Sequence, residues 1–135
     1  MINQSDYFRK VLEHLRLTNA KAAQMPLPAG YHALPNEVEV DSTLHLRYQM
    51  VISSLIYLMI GTRPDIAFAI TVLSKHTANP SQDHLNKALY IGCYLLGTQS
   101  AYIKYDGFTG KGITACTNSD WGSDPTAHKS VMVLY

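Results

Sequence analysis

The sequence is poor in charge. Charged side chains make up 16% of its 135 residues, and eleven basic residues against ten acidic ones leave a net charge of +1. Free-standing nucleic-acid binders cluster lysine and arginine to neutralise phosphates, so this balance argues against one. The hydrophobic fraction of 47% is instead that of a globular protein, and the length favours a single domain.

Several signals of specific chemistry or targeting are absent. Nucleophile-elbow, phosphate-loop and HExxH motifs are missing, and the six histidines are too scattered to indicate a metal site. Cys93 and Cys116 lack the CxxC spacing, so we expect buried, reduced thiols. The sequence does not open with the charged and then apolar segments of a secretory signal peptide, so it gives no indication of secretion. No apolar run approaches the roughly 20 residues of a membrane span, so we expect no membrane partner.

The stretch 54–97 predicts three consecutive helices separated by two short breaks. The apolar run 51–60 predicts a helix that is buried on most sides. Thr62, three residues before Asp65, resembles a capping box, and a cap followed by proline recurs at 79–80. Small residues on the predicted helices suggest close contacts: Ala67, Ala69 and Gly92.

Four regions follow along the chain. Residues 1–21 contain an amphipathic lead-in helix, 22–43 a linker rich in proline and glycine, 44–98 the helical region, and 99–135 an alternating pattern. The alternation predicts two strands, 101–105 and 113–117, around an Asp-Gly turn. The predicted class is therefore α+β, mainly helical with about four helices, followed by a short β-hairpin.

The lead-in helix carries basic residues opposite its apolar face. Two interpretations remain open: an ordinary solvated face, or a contact with a nucleic-acid backbone. The basic residues concerned are Arg9, Lys10, Arg16 and Lys21.

A polar cluster, 117–124, follows the second predicted strand. Carboxylates at a strand end can hold a divalent cation such as Mg²⁺, which prefers oxygen ligands. The same residue types favour a simple turn, so the residues by themselves leave both interpretations open. The carboxylates of this cluster are Asp120 and Asp124.

Several stretches resemble a known family in the same order. Residues 48–58 and 61–67 resemble the "Y-x(4)-GSL-x-YL…TRPDIA" signature of copia-type LTR-retrotransposon Pol polyproteins. Residues 88–98 are similar to that family's "YLxGT" helix end, and 117–124 to its "SDADWAGD" segment. The stretch 7–28 resembles its lead-in, so the likeness covers most of the chain.

The resemblance implies a position after the palm of a reverse transcriptase. Residues 1–21 would be thumb-like, 44–98 the connection region, and 99–135 an incomplete start of an RNase H-like sheet. The intact family makes DNA from RNA with Mg²⁺ on an RNA/DNA hybrid, in the cytoplasm or nucleus. The paired aspartates of the polymerase lie upstream of this region.

The same resemblance implies that the nuclease is lost. Asn118 stands where the family has its first RNase H aspartate, and Asp120 and Asp124 match later positions as remnants. Serine replaces glycine at Ser53, and Cys93 replaces arginine. We therefore expect a truncated or degenerate copy that is inactive as an enzyme, with no catalytic residue, metal or cofactor retained. The alternatives are a residual RNA- or DNA-binding module and a helical protein-interaction remnant, whose exposed apolar surface a second copy or a partner chain could cover.

Overall fold

The computed structural model describes residues 4–101, 117–119 and 132–134. The chain divides into two compact units, Met1–Ile103 and Lys104–Tyr135. The described part of the first unit is helical. Its elements are α1 (Ser5–His14), α2 (Ser42–Gly61), a 3₁₀ turn (Pro64–Ile66), α3 (Ala67–Ser74) and α4 (Gln82–Gly97).

The longest helix, α2, is the centre of the first unit and contacts both α3 and α4. Its inner face buries Tyr48, Val51, Ile52, Leu55 and Leu58. Burying each large aliphatic side chain contributes roughly 1.5–3 kcal/mol. The helix is buried on one face only, since Leu46 and Ile60 on the other side are 67% and 77% exposed. The prediction of burial on most sides was therefore wrong.

Helix α1 runs antiparallel to α2. Near its start the ring of Tyr7 meets that of Tyr57 edge-on, with centroids 4.6 Å apart. Near its end His14 Nε2 lies 3.0 Å from the sulfur of Met50. Increasing residue numbers in α1 therefore match decreasing ones in α2. The apolar side chains Val11, Leu12 and Leu15 are buried beneath this contact.

Helix α1 ends in a Schellman motif. The Leu17 N–H donates to the Leu12 carbonyl at 2.9 Å, and the Arg16 N–H donates to the Glu13 carbonyl at 3.0 Å. This motif needs a left-handed residue, usually glycine, directly after the helix. Here Arg16 takes that position with φ 57°. A side chain therefore occupies a backbone conformation in which L-residues are disfavoured.

Two predicted helix starts were wrong. Thr62 does not cap the next helix, because its hydroxyl donates instead to Gln4 Oε1 at 2.8 Å. The cap of α4 is Ser81 rather than Asn79. The Ser81 hydroxyl accepts from the His84 N–H, and His84 Nδ1 accepts from the Ser81 N–H. This is a reciprocal capping box with histidine in the place usually taken by glutamate or glutamine.

The predicted α+β class with a β-hairpin and an RNase H-like start was wrong. Residues 4–101 hold four α-helices and no strand. The described parts of the second unit are two three-residue segments, β1 (Thr117–Ser119) and β2 (Met132–Leu134), paired antiparallel with Asn118 opposite Val133. Twelve residues separate the two segments in the sequence. Most of the predicted strands 101–105 and 113–117 fall outside the described residues.

Candidate functional site

The most elaborate polar site in the first unit surrounds a buried arginine. Arg63 lies between α2 and the 3₁₀ turn, and the residue is only 5% exposed. Its guanidinium binds the Asp65 carboxylate through two hydrogen bonds, Nε to Oδ1 at 3.0 Å and Nη2 to Oδ2 at 2.7 Å. Such two-point pairing matches the planar fork of arginine and gives the pair a fixed orientation.

The other side of the guanidinium holds the end of α4. Nη1 donates to the Thr98 carbonyl at 3.1 Å, and Nη2 donates to the Thr98 hydroxyl at 2.6 Å. The Tyr94 hydroxyl donates to Asp65 Oδ2 at 2.9 Å, and the Arg63 guanidinium lies 5.6 Å from the Tyr94 ring centre. These four residues, which we call the Arg63 cluster, join the start of α3 to the end of α4.

The electrostatics of the Arg63 cluster keep its carboxylate ionised. Partial burial by itself raises the pKa of Asp65. The hydrogen bonds and charge of Arg63, together with the Tyr94 hydroxyl, outweigh it, so the pKa lies below its ordinary value. Burial, followed by the bond to Asp65, raises the pKa of Tyr94. The carboxylate is thus charged, paired and already bonded on both oxygens.

A second polar group consists of Tyr48 on α2, His84 at the start of α4 and His76 after α3. Tyr48 is fully buried, and its hydroxyl donates to the Leu73 carbonyl at 2.7 Å, which ties α2 to the end of α3. Burial raises the pKa of this phenol. The imidazole of His84 is also buried and stacks on His76, with ring centres 4.2 Å apart. Tyr48 thus joins two helices through a hydrogen bond, whereas His84 caps its own helix and contacts the chain after α3 by stacking.

Two glycines of α4 allow close approach of the chain that follows α1. A Cβ on Gly92 would overlap the Leu17 side chain, and one on Gly97 would press on Ala22 and the Ala23 carbonyl. The Ala23 N–H donates to the Cys93 carbonyl at 3.1 Å in the same contact. The close contact suggested at Gly92 therefore exists, but its partner is an irregular segment rather than a helix.

The four predicted nucleic-acid-binding residues are all exposed. Arg9 pairs with Asp6 on the same helix at 3.3 Å, with both side chains largely in solvent. A pair of this kind contributes little to stability. Lys10 lies beside Arg9 on α1, while Arg16 and Lys21 follow the helix. Their contact with nucleic acid stays a prediction.

The predicted nuclease remnants are only partly described. Asn118 lies in β1, opposite Val133 of β2, and Asp120 and Asp124 fall outside the described residues. Within the described ranges, no group of three or more His, Cys, Asp and Glu side chains could hold a metal ion. In the same ranges, no helix is long and apolar enough to cross a membrane.

Within residues 4–101 the chain is thus a helical packing unit whose best-formed polar site joins helix ends. Its relatives are transposon proteins. It is 33% identical over 96% of its length to the retrovirus-related Pol polyprotein from transposon TNT 1-94 of Nicotiana tabacum. It is 30% identical over 91% of its length to the retrovirus-related Pol polyprotein from transposon RE1 of Arabidopsis thaliana. A secreted RxLR effector protein 161 of Plasmopara viticola is 28% identical over 62% of the chain.

The likeness covers a small part of each polyprotein. The chain spans 10% of the tobacco polyprotein, 8% of the Arabidopsis one and 58% of the effector. No protein-family model and no solved structure matches the chain. The chain is therefore homologous to a short segment of plant transposon Pol polyproteins, which agrees with the resemblance found in its motifs.

The motifs behind that resemblance meet in space. Arg63 and Asp65 come from the stretch similar to "TRPDIA", and Tyr94 and Thr98 from the stretch similar to "YLxGT". Sequence reasoning used these letters only to recognise a likeness and missed their contact. The sequence did contain a signal of this contact, because one motif carries an arginine and an aspartate and the other a tyrosine and a threonine that can hydrogen-bond to them.

Proposed function

We propose that this chain is a non-catalytic structural segment of a copia-type Pol polyprotein, which joins the reverse transcriptase to RNase H. The observation that carries the proposal is the Arg63 cluster. Side chains from two family-like motifs bond to one another around the buried Arg63 in a partly buried contact between helix ends, rather than being left free for a substrate.

The chemistry of the cluster supports this role. A carboxylate that binds Mg²⁺ or takes a proton needs a free oxygen and access for the ion or substrate. Asp65 has Arg63 on both oxygens and Tyr94 on one of them. Releasing it would leave the buried arginine without its counter-ion, which is strongly unfavourable. The cluster therefore favours a fixed geometry over turnover.

The ancestral role of such a segment is to support the grip on the template–primer duplex between the two enzymes. The proposal is tested by incubating the purified chain with Mg²⁺ or Mn²⁺ and either a primed RNA template or an RNA/DNA hybrid. We expect no primer extension and no RNA cleavage, with an intact reverse transcriptase as the positive control. Metal-dependent turnover that Asp120→Ala abolishes would contradict the proposal.

Residual duplex binding is a second candidate function, favoured by the exposure of Arg9, Lys10, Arg16 and Lys21. Each phosphate contact contributes a slope of about −0.9 to the plot of log affinity against log salt concentration. Replacing all four cations by glutamine should flatten that slope for an RNA/DNA hybrid. Arg47→Gln, on the exposed outer side of α2, is the matched control. An equal effect of the control would contradict a contact through these four residues.

Self-association is a third candidate, favoured by the outer face of α2. Positions 46, 50, 53, 57 and 60 follow the alternating spacing of three and four of a coiled-coil seam, and all five are exposed. Met50 and Tyr57 also touch α1 of the same chain, so the part of this face that is open to a partner is centred on Leu46, Ser53 and Ile60. The occupant we propose is a second copy of the chain, packed antiparallel. This arrangement would bring the cationic Arg47 of one copy towards the start of the other copy's α1, which carries Asp6.

Sedimentation equilibrium over a concentration series tests this association. Ile60→Lys should shift a dimer to monomer, because it places a charge in the seam. Leu34→Lys is the matched control, since Leu34 is equally apolar and 67% exposed but lies away from α2 in sequence. A chain that remains monomeric at all concentrations, or a control that acts equally, would contradict the dimer.

A further inference from the structure

We propose that His84 and His76 form a proton-sensitive latch, which fastens the segment 22–41 to the start of α4 at neutral pH and releases it in mild acid. This histidine latch is independent of any nucleic-acid or metal chemistry. It rests on the capping box of α4, on the stacking of the two imidazoles and on the contacts of the segment with the same helix end.

The capping box fixes the protonation state of His84. Its Nδ1 accepts a hydrogen bond from the Ser81 N–H at 3.0 Å, so that nitrogen must carry no proton. A proton there would place two donors against each other and break one half of the cap. The residue is 1% exposed, so water cannot replace the lost partner. Protonation of this imidazole is therefore incompatible with the folded start of α4.

The second imidazole strengthens this effect. His76 follows α3 and stacks on His84 with ring centres 4.2 Å apart and planes 22° apart. Two imidazolium ions at this separation repel each other in a poorly hydrated site. Burial, and after it the charge of His76, lower the pKa of His84, against weaker raising effects of the Leu34 carbonyl and Asp83. The folded state thus favours the neutral ring.

The other titratable groups around the rings do not provide a counter-ion for His84. The Tyr48 ring from α2 lies 6.4 Å away, and its hydroxyl is bonded to the Leu73 carbonyl. Asp83, the neighbour of His84 on α4, accepts from the Tyr31 hydroxyl at 2.9 Å. It also lies 3.8 Å from the Lys87 ammonium. An imidazolium at position 84 would therefore lack a dedicated carboxylate.

The segment 22–41 is attached at this same helix end. Tyr31 binds Asp83, and the Lys87 ammonium lies 5.2 Å from the Tyr31 ring centre. Asn36 donates to the Pro80 carbonyl at 3.2 Å, and Asn79 donates to the Asn36 carbonyl at 2.9 Å. All of these partners lie between residues 79 and 87. Unravelling the first turn of α4 would therefore release the segment from about residue 31 onward, while Ala23 stays bonded to the Cys93 carbonyl near the other end of the helix.

The test is hydrogen exchange of the full chain between pH 7.5 and 5.5, corrected for the intrinsic pH dependence of exchange. With an ordinary histidine pKa near 6.5 in the open state, the opening equilibrium for amides of 31–41 should rise over this range, by up to about tenfold. His84→Gln should remove the rise, because glutamine at this position can complete the capping box without titrating. His32→Gln, an exposed histidine in the segment itself, should keep it.

An acid-induced rise that persists in His84→Gln would overturn the latch, as would a wild-type chain whose opening does not change with pH. A ring titration by NMR gives an independent reading that does not depend on the stability of the variant. We expect the His84 ring to protonate below the ordinary histidine value of about 6.5. A His84 ring that protonates at or above that ordinary value in the folded chain would also overturn the proposal.

Discussion

Replacing Arg63 by alanine should destabilise the helical unit strongly. The guanidinium makes four hydrogen bonds, two to Asp65 and two to Thr98, in a residue that is 5% exposed. Removing one partner of a buried ion pair costs about 3–5 kcal/mol. The Asp65 side chain is 38% exposed and can regain water, so the expected loss is near the lower end, about 3 kcal/mol.

Arg63→Lys separates charge from geometry. An ammonium can keep the attraction to Asp65 but cannot reach the carboxylate and Thr98 together, since it is a single point donor. We expect this variant to lose about half as much stability as Arg63→Ala, roughly 1.5 kcal/mol. A double-mutant cycle with Asp65→Ala should give a coupling free energy of about 1–2 kcal/mol.

Urea unfolding followed by far-ultraviolet circular dichroism measures these losses. With an m-value near 2 kcal/mol/M, Arg63→Ala should lower the midpoint by roughly 1.5 M. Arg47→Ala is the matched control, because Arg47 is exposed on α2, and surface changes of this kind stay within about 0.5 kcal/mol. A loss for Arg63→Ala no larger than that of the control would refute the assigned role of the Arg63 cluster.

Three further predictions follow from the same structure. Asp65→Asn should weaken the acid dependence of unfolding, because the pKa of Asp65 is lowered in the folded state. The contribution of this carboxylate to the free energy of unfolding is present above the unfolded value of about 4 and is lost as the pH falls through the folded value. An unchanged acid limb in urea titrations at several pH values would contradict this. Arg16→Gly should raise the melting temperature, because the left-handed conformation costs arginine about 1 kcal/mol and costs glycine almost nothing. The larger backbone entropy that glycine loses on folding partly offsets this gain. A lower melting temperature would contradict the Schellman assignment. Gly92→Ala should change stability by less than about 1 kcal/mol, because the displacement of the Leu17 side-chain tip offsets the helix preference for alanine, and it should become clearly stabilising in a Leu17→Ala background. Equal effects in both backgrounds would contradict the contact.

Local signals located the helices well. The amphipathic pattern within residues 1–21 matches α1, and the two breaks predicted within 54–97 fall between α2 and α3 and between α3 and α4. These signals act within a few residues, so they can be read from the sequence. The cap at Thr62 failed because Gln4, 58 residues away, binds its hydroxyl. Tertiary contacts thus decide between equivalent local alternatives.

The polar sites could not be derived by local spacing. His76 and His84 are eight residues apart, beyond the spacing of neighbours on one helix, and they meet because the chain reverses between α3 and α4. Arg63 and Thr98 are 35 residues apart and meet only when α4 folds back on the 3₁₀ turn. Composition further predicts an exposed arginine, since charged residues are rarely buried without a partner.

Departures from the family-like motif fall where the fold can accommodate them. Ser53, in the place of a glycine, lies on the exposed outer face of α2, and the half-buried Cys93, in the place of an arginine, has its thiol pKa raised by burial. The matching residues Tyr48 and Arg63 are instead buried and hydrogen-bonded between helices. Substitutions at exposed or half-buried positions such as Ser53 and Cys93 cost little stability. Substitutions of Tyr48 or Arg63 would instead leave their hydrogen-bond partners unpaired in the core. The helical packing of the described residues therefore depends on Tyr48 and Arg63 and tolerates change at Ser53 and Cys93.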